Sequence, residues 1–148
     1  MYKVVLDSTV LVSVFLAKTG VSAELLHKAK DGSFDICLAE EILEEVQRAL
    51  LQYQKIRKRY HYSDEAAIQF VQNLRIVAHL ITGLPSIEVV NSDPNDNMVV
   101  ACAFKARADY IVTRDNDLLS LLNYEDIKVV TPEKFMGILR SGKNKPPF

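Results

Sequence analysis

No apolar run in the sequence approaches the roughly 18 residues needed to span a membrane, and Met1 to Leu6 lacks the charged start and cleavage site of a secretory signal. A cytoplasmic protein with no membrane partner is therefore expected. Cysteine is scarce: Cys37 and Cys102 each sit within an apolar stretch and read as small buried hydrophobes, not as a disulfide or a metal pair. His27, His61 and His79 show no metal-ligand spacing, which speaks against zinc. With 5 Gly and 5 Pro, the chain is neither fibrous nor low-complexity. A net charge of −1 argues against holding nucleic acid by bulk electrostatics, while leaving room for a local basic patch.

What is present suits one globular domain. Of 148 residues, 49% are hydrophobic and 25% charged, and a chain of this size can bury roughly 68 to 70% of its unfolded surface. The domain is expected over residues 1–140, with a loose tail over 141–148. β-branched runs at 2–6, 34–38, 86–90, 109–112 and 127–130 read as strands. Helical periodicity covers 39–53, 64–81 behind a Ser63 cap, and 94–108. Thr131 and Pro132 open a last helix. This alternation predicts an α/β three-layer sandwich around a mainly parallel sheet of four to five strands.

In such a sheet, sites form outside the carboxyl ends of the strands. Asp7 directly follows the first strand, in "VVLDSTVLVS"; Asp115 and Asp117 follow the fourth, in "IVTRDNDLL"; Asp93 and Asp96 open the helix after the third, in "SDPNDN". Among Glu40, Glu41, Glu44 and Glu45, projection at about 100° per residue places only Glu45 beside the apolar stripe of its helix. Each acid also has a plainer reading. Asp93 can cap a helix, with Asp96 completing a capping box; Asp117 can cap "LLSLL"; Glu45 can pair with Arg48 on the surface. Asp7 has the fewest solvent-facing alternatives. Four carboxylates gathered in one place would repel by about 1 to 4 kcal/mol per pair, a cost that a hard divalent cation with oxygen ligands offsets. Separately, Lys55, Arg57, Lys58 and Arg59 stand beside Tyr60, His61 and Tyr62. That mixture suits either phosphate contact and base stacking or a solvated connection between helices.

These residues resemble the PIN domain family, in the bacterial and archaeal branch that contains VapC-like toxin components of toxin–antitoxin systems. "VVLDSTVLVS" is similar to the family's opening motif, "ILEEVQRAL" to its helical acid, and "SDPNDNMVVACAFKARADYIVTRDNDLL" to its longest signature. The similarity spans about residues 2–140. It implies a metal-dependent ribonuclease acting on single-stranded RNA, with Asp7, Glu45, Asp96 and Asp115 as the acidic constellation and Asp117 as an auxiliary. Asp93 would be a supporting group or the cap already described, and Thr113 matches a small hydroxyl residue common before the last acids. Thr9 departs from the Asn usual two residues after the first Asp; a hydroxyl still donates to a carboxylate, with shorter reach.

On this reading Mg²⁺ or Mn²⁺, held chiefly by Asp7, Asp96 and Asp115, would orient the phosphodiester for in-line attack by water. Glu45 would hold a water or a second ion. An antitoxin protein inserting a basic side chain among the acids is the implied partner, and homodimers are in keeping with it. Two rival readings fit some of the same residues. In a catalytically inactive RNA-binding module the acids would be caps and residues 55–62 would hold RNA, an alternative that Thr9 favours. An aspartyl-phosphate phosphatase or receiver would use Asp7 as nucleophile or phosphoacceptor, but neither pattern is met.

Overall fold

Val4, Val5 and Leu6 have no exposed surface, so strand β1 (Lys3–Leu6) is covered on both faces, as a central parallel strand requires. In the computed structural model, which describes residues 1–17, 19–89 and 93–142, β1 lies at the middle of a six-stranded sheet. Helices α1 (Ser8–Leu16) and α2 (Val21–Lys30) lead to β2 (Asp35–Ala39). Then come α3 (Glu40–Gln52), α4 (Gln54–Arg59), α5 (Asp64–Val77) and β3 (His79–Ile81). The chain continues through α6 (Pro94–Ala106), β4 (Tyr110–Val112), α7 (Asn116–Leu119), β5 (Asn123–Tyr124), β6 (Ile127–Val130) and α8 (Pro132–Arg140). The strand order is β3-β2-β1-β4-β6-β5, parallel throughout except for the antiparallel pairing of β5 with β6. The expected α/β architecture with a mainly parallel sheet is the one observed. The sixth strand, β5, is only two residues long.

One strand differs from the expectation. Residues 86–89 form no strand, and Val90 lies outside the described residues. The edge strand is β3, in a stretch whose apolar spacing continues the helical pattern of 64–81. α5 instead stops at Val77. Ala78 turns extended while its N–H caps Leu74 O, and the next three residues pair with Cys37, Leu38 and Ala39 of β2. An open sheet edge supplies backbone partners that periodicity cannot register in so short an apolar run. Residues 86–89 instead run alongside α6, where Val89 N–H donates to Asn97 Oδ1 at 3.0 Å.

Caps follow the sequence closely. Ser63 accepts from Ala66 N and Thr131 from Lys134 N, and Pro94 and Pro132 occupy first turns. The core closes around Phe135, whose ring meets Tyr2, Phe34 and Tyr110. Cys37 and Cys102 are buried thiols within the same core, and burial pushes the Cys102 thiol up to about 12. No single helix among the described residues is long and apolar enough to cross a membrane. Of the expected tail, residues 143–148 lie outside the described residues.

Candidate functional site

The parallel register sets Leu6 of β1 beside Val112 of β4, so the residues that follow, Asp7 and Thr113, emerge together at the carboxyl edge. Asp7 N–H donates to Val112 O at 3.1 Å and Thr113 N–H to Val130 O at 3.0 Å. Asp7 is 2% exposed and caps α1. Its Oδ1 accepts from Val10 N at 3.1 Å and from the Thr9 hydroxyl at 2.7 Å, and its Oδ2 accepts from the Thr113 hydroxyl at 2.5 Å. Thr113 Oγ1 in turn accepts from Asp115 N at 2.9 Å. Burial pushes the Asp7 carboxyl up; the hydrogen bonds from Thr113, Thr9 and Val10 oppose that, and the nearby Asp115 charge adds to it. Thr9, despite its shorter reach, makes the hydrogen bond to Asp7.

Asp93, Asp96 and Asp115 each place a carboxylate oxygen within 4.8 Å of the others. Asp93 caps α6 by accepting from Asn95 N at 2.9 Å, and Asp115 caps α7 by accepting from Asp117 N at 2.8 Å and Leu118 N at 3.2 Å. Two helix N-termini therefore aim at the same spot, where their partial positive charge favours anions. Asp96, one turn into α6, is 6% exposed. Its buried Oδ2 has no hydrogen-bond partner, an arrangement that normally costs about 1 to 3 kcal/mol. Burial first, then the charges of Asp115, Asp93, Asp7 and Asp117, raise this carboxyl to about 7. Asp117 does not cap "LLSLL"; Asp115 takes that place, and Asp117 lies within the short helix.

Asp7, Thr9, Glu45, Asp93, Asp96 and Asp115 line one pocket of about 220 Å³, together with Ser8, Ile42, Tyr53 and Asn95. Among the four glutamates of α3, Glu45 alone is buried, as the helical projection predicts. It is also paired with Arg48, so the ion pair and the place in the pocket coexist. Its Oε1 accepts from the Tyr53 hydroxyl at 2.8 Å. That bond raises the Tyr53 pKa, with burial and the negative charge of Glu45 adding to it. Sequence reasoning missed Tyr53, whose only signal was its place eight residues after Glu45, where α3 ends.

The cations expected to hold RNA divide into two kinds. Arg57 is structural: it donates to Leu50 O at 3.2 Å, pairs with Asp64 at 2.8 Å and stacks over Tyr62 at 4.8 Å. Lys55, Lys58 and Arg59 are exposed on α4, with Arg59 over the Tyr60 ring at 5.7 Å. α4 starts right after Tyr53, which lines the acidic pocket. The donors gathered within the pocket are carboxylate, hydroxyl and amide oxygens with no thiolate or imidazole, a set that suits a hard divalent cation. The unpartnered Asp96 oxygen is consistent with an ion being the missing partner.

The sequence profile of the PIN domain family matches residues 3–117. No curated protein matches the chain significantly. Among solved structures, PAE2754 from Pyrobaculum aerophilum is similar in fold, with a TM-score of 0.65 at 14% identity over 95% of this chain and 96% of that one. VapBC2 from Rickettsia felis, solved bound to a DNA fragment from its promoter, gives a TM-score of 0.60 at 13% identity over 86% of this chain and 96% of that one.

Proposed function

The chain belongs to the PIN domain family, whose members are generally nucleases, and from that premise we propose that it is a divalent-metal-dependent endoribonuclease. It hydrolyses single-stranded RNA as the toxin of a toxin–antitoxin pair. The observation that carries the reading is the convergence of Asp93, Asp96 and Asp115 oxygens within 4.8 Å of one another, with a buried oxygen of Asp96 left without a partner.

Asp7, Asp96 and Asp115, with Asp93 beside them, would hold Mg²⁺ or Mn²⁺. When bound, such a cation neutralises the crowded carboxylates and polarises a phosphodiester toward attack. The protein's own groups do the remaining work. Thr9 and Thr113 donate to the two oxygens of Asp7, fixing the carboxylate's plane and favouring its charged form. Glu45, oriented by Arg48 and the Tyr53 hydroxyl, faces the pocket and orients the attacking water by accepting a proton from it. No side-chain nucleophile is needed, because water attacks phosphorus in line with the departing oxygen. Lys55, Lys58 and Arg59 supply contacts to phosphates that approach along α4.

The same electrostatics suit inhibition by an antitoxin that inserts a basic side chain among the acids. The likeness to VapBC2 supports this in fold. The binding-only alternative drew on Thr9, and the hydrogen bond that Thr9 makes to Asp7 favours catalysis instead. The test is RNA cleavage with Mg²⁺, with Mn²⁺ and with EDTA, run beside Asp7→Asn and Asp96→Asn. Metal-dependent cleavage lost in both variants is expected. Cleavage in EDTA, or undiminished cleavage by both variants, contradicts the proposal.

A further inference from the structure

Tyr53 stands apart from the protein's other aromatic residues. Every other tyrosine and phenylalanine among the described residues meets another ring or a guanidinium. Tyr53 has no such partner, and it is 44% exposed while lining the acidic pocket. It is nonetheless held in place. Its backbone is at once the C-cap of α3 and the N-cap of α4, and its hydroxyl donates to buried Glu45 at 2.8 Å. The result is a ring anchored at both ends beside the carboxylates, with nearly half its surface exposed.

A ring fixed in this way loses little entropy when a flat partner lands on it, and nucleobases are flat partners whose stacking tolerates any sequence. We propose that Tyr53 is the base-stacking platform of the site, selecting an unpaired nucleotide next to the phosphate to be cut. The inference rests on the reading of the pocket as an RNA site and names the feature of RNA it selects. A base in a duplex is already stacked on both faces and cannot be offered to the ring. Charge sets the direction of approach. Beyond Tyr53 lies the cationic turn of α4. Met98 also lines a neighbouring groove of about 490 Å³ that is flanked by Glu41 and Glu88, which repel phosphates. The strand therefore passes from α4 over Tyr53 and into the pocket.

The experiment measures binding of fluorescein-labelled single-stranded oligoadenylate and oligouridylate by anisotropy, with Ca²⁺ in place of Mg²⁺, to wild type, Tyr53→Leu and Tyr53→Phe. Adenine stacks better than uracil. Tyr53→Leu should weaken oligoadenylate binding roughly tenfold and erase the preference for adenine, while Tyr53→Phe, which keeps the ring, should retain both. Unchanged binding by Tyr53→Leu, or an equal loss in both variants, would overturn the proposal by reducing the residue to an anchor for Glu45. Hydrolysis is scored separately, in Mg²⁺. A Tyr53-dependent adenine preference without cleavage of any RNA supports the platform and counts against the nuclease. Cleavage that is indifferent to Tyr53→Leu does the reverse.

Discussion

Thr113 donates its hydroxyl to Asp7 at 2.5 Å across 106 positions of sequence, and the same oxygen accepts from Asp115 N. One fully buried hydroxyl thus ties the end of β1 to the loop that carries the last acids.

Thr113→Val keeps the shape and removes the hydroxyl. It leaves a buried Asp7 oxygen and the Asp115 amide without their partner, for a loss of about 1 to 3 kcal/mol. Thermal unfolding is expected to move down accordingly, with a fall in turnover larger than any change in KM. Thr113→Ser should restore both.

Asp96 makes the metal-free protein sensitive to pH. Its folded value, about 7, lies above its ordinary 3.8, so its contribution is fully present below the lower value and fades as pH rises through the higher one. The buried Asp7, also raised, acts in the same direction. Without metal, the melting temperature should be lower at about pH 8 than at about pH 5.5. Asp96→Asn should raise the pH 8 value by about 2 kcal/mol of stability, roughly 4 to 8 °C. Saturating Mg²⁺ should remove the deficit in wild type through binding to the folded state alone. A flat profile in EDTA would refute the crowding of charge around Asp96.

Glu45→Gln preserves size and the Tyr53 hydrogen bond while removing the charge. A loss of about 10²-fold or more in turnover is expected for a group that orients and deprotonates water, with little change in RNA affinity. Arg48→Ala, at a half-exposed partner, should cost no more than about 1 kcal/mol of stability and a smaller part of the activity.

The two kinds of cation on α4 separate by measurement. Arg57→Ala should destabilise by about 1 kcal/mol through its carbonyl and ring contacts. Lys58→Ala should leave stability unchanged, weaken RNA binding uniformly across sequences and reduce the salt slope by about one. The opposite pattern would place the RNA elsewhere.

Most of the fold was legible because buried parallel strands and capped helices announce themselves locally. Val4 to Leu6 and Ile127 to Val130 are β-branched runs, and Ser63, Asp93 and Thr131 act as caps where they stand. His79 to Ile81 was not legible as a strand, since only the open edge of β2, far away in sequence, makes it one. Asp7 and Asp115 were readable by counting strand ends and Glu45 by helical projection, whereas Asp93 and Asp96 were placed after a strand at 86–90 that residues 86–89 do not form, and only their position at the start of α6 holds. What stayed hidden depends on distance in space. The oxygen cluster centres on Asp93, Asp96 and Asp115, while Asp7 spends both its oxygens on hydroxyl and amide donors in the same pocket. Tyr53 gave no pattern because its role comes from a bond to one residue and the absence of ring neighbours.

The strand order also bears on synthesis of the chain at the ribosome. β1 is synthesised well before one of its two neighbours in the sheet, β4, which ends only at Val112, and Asp115 lies beyond that. A nascent chain therefore carries no assembled cluster of acids until β4 and the loop that follows it have emerged.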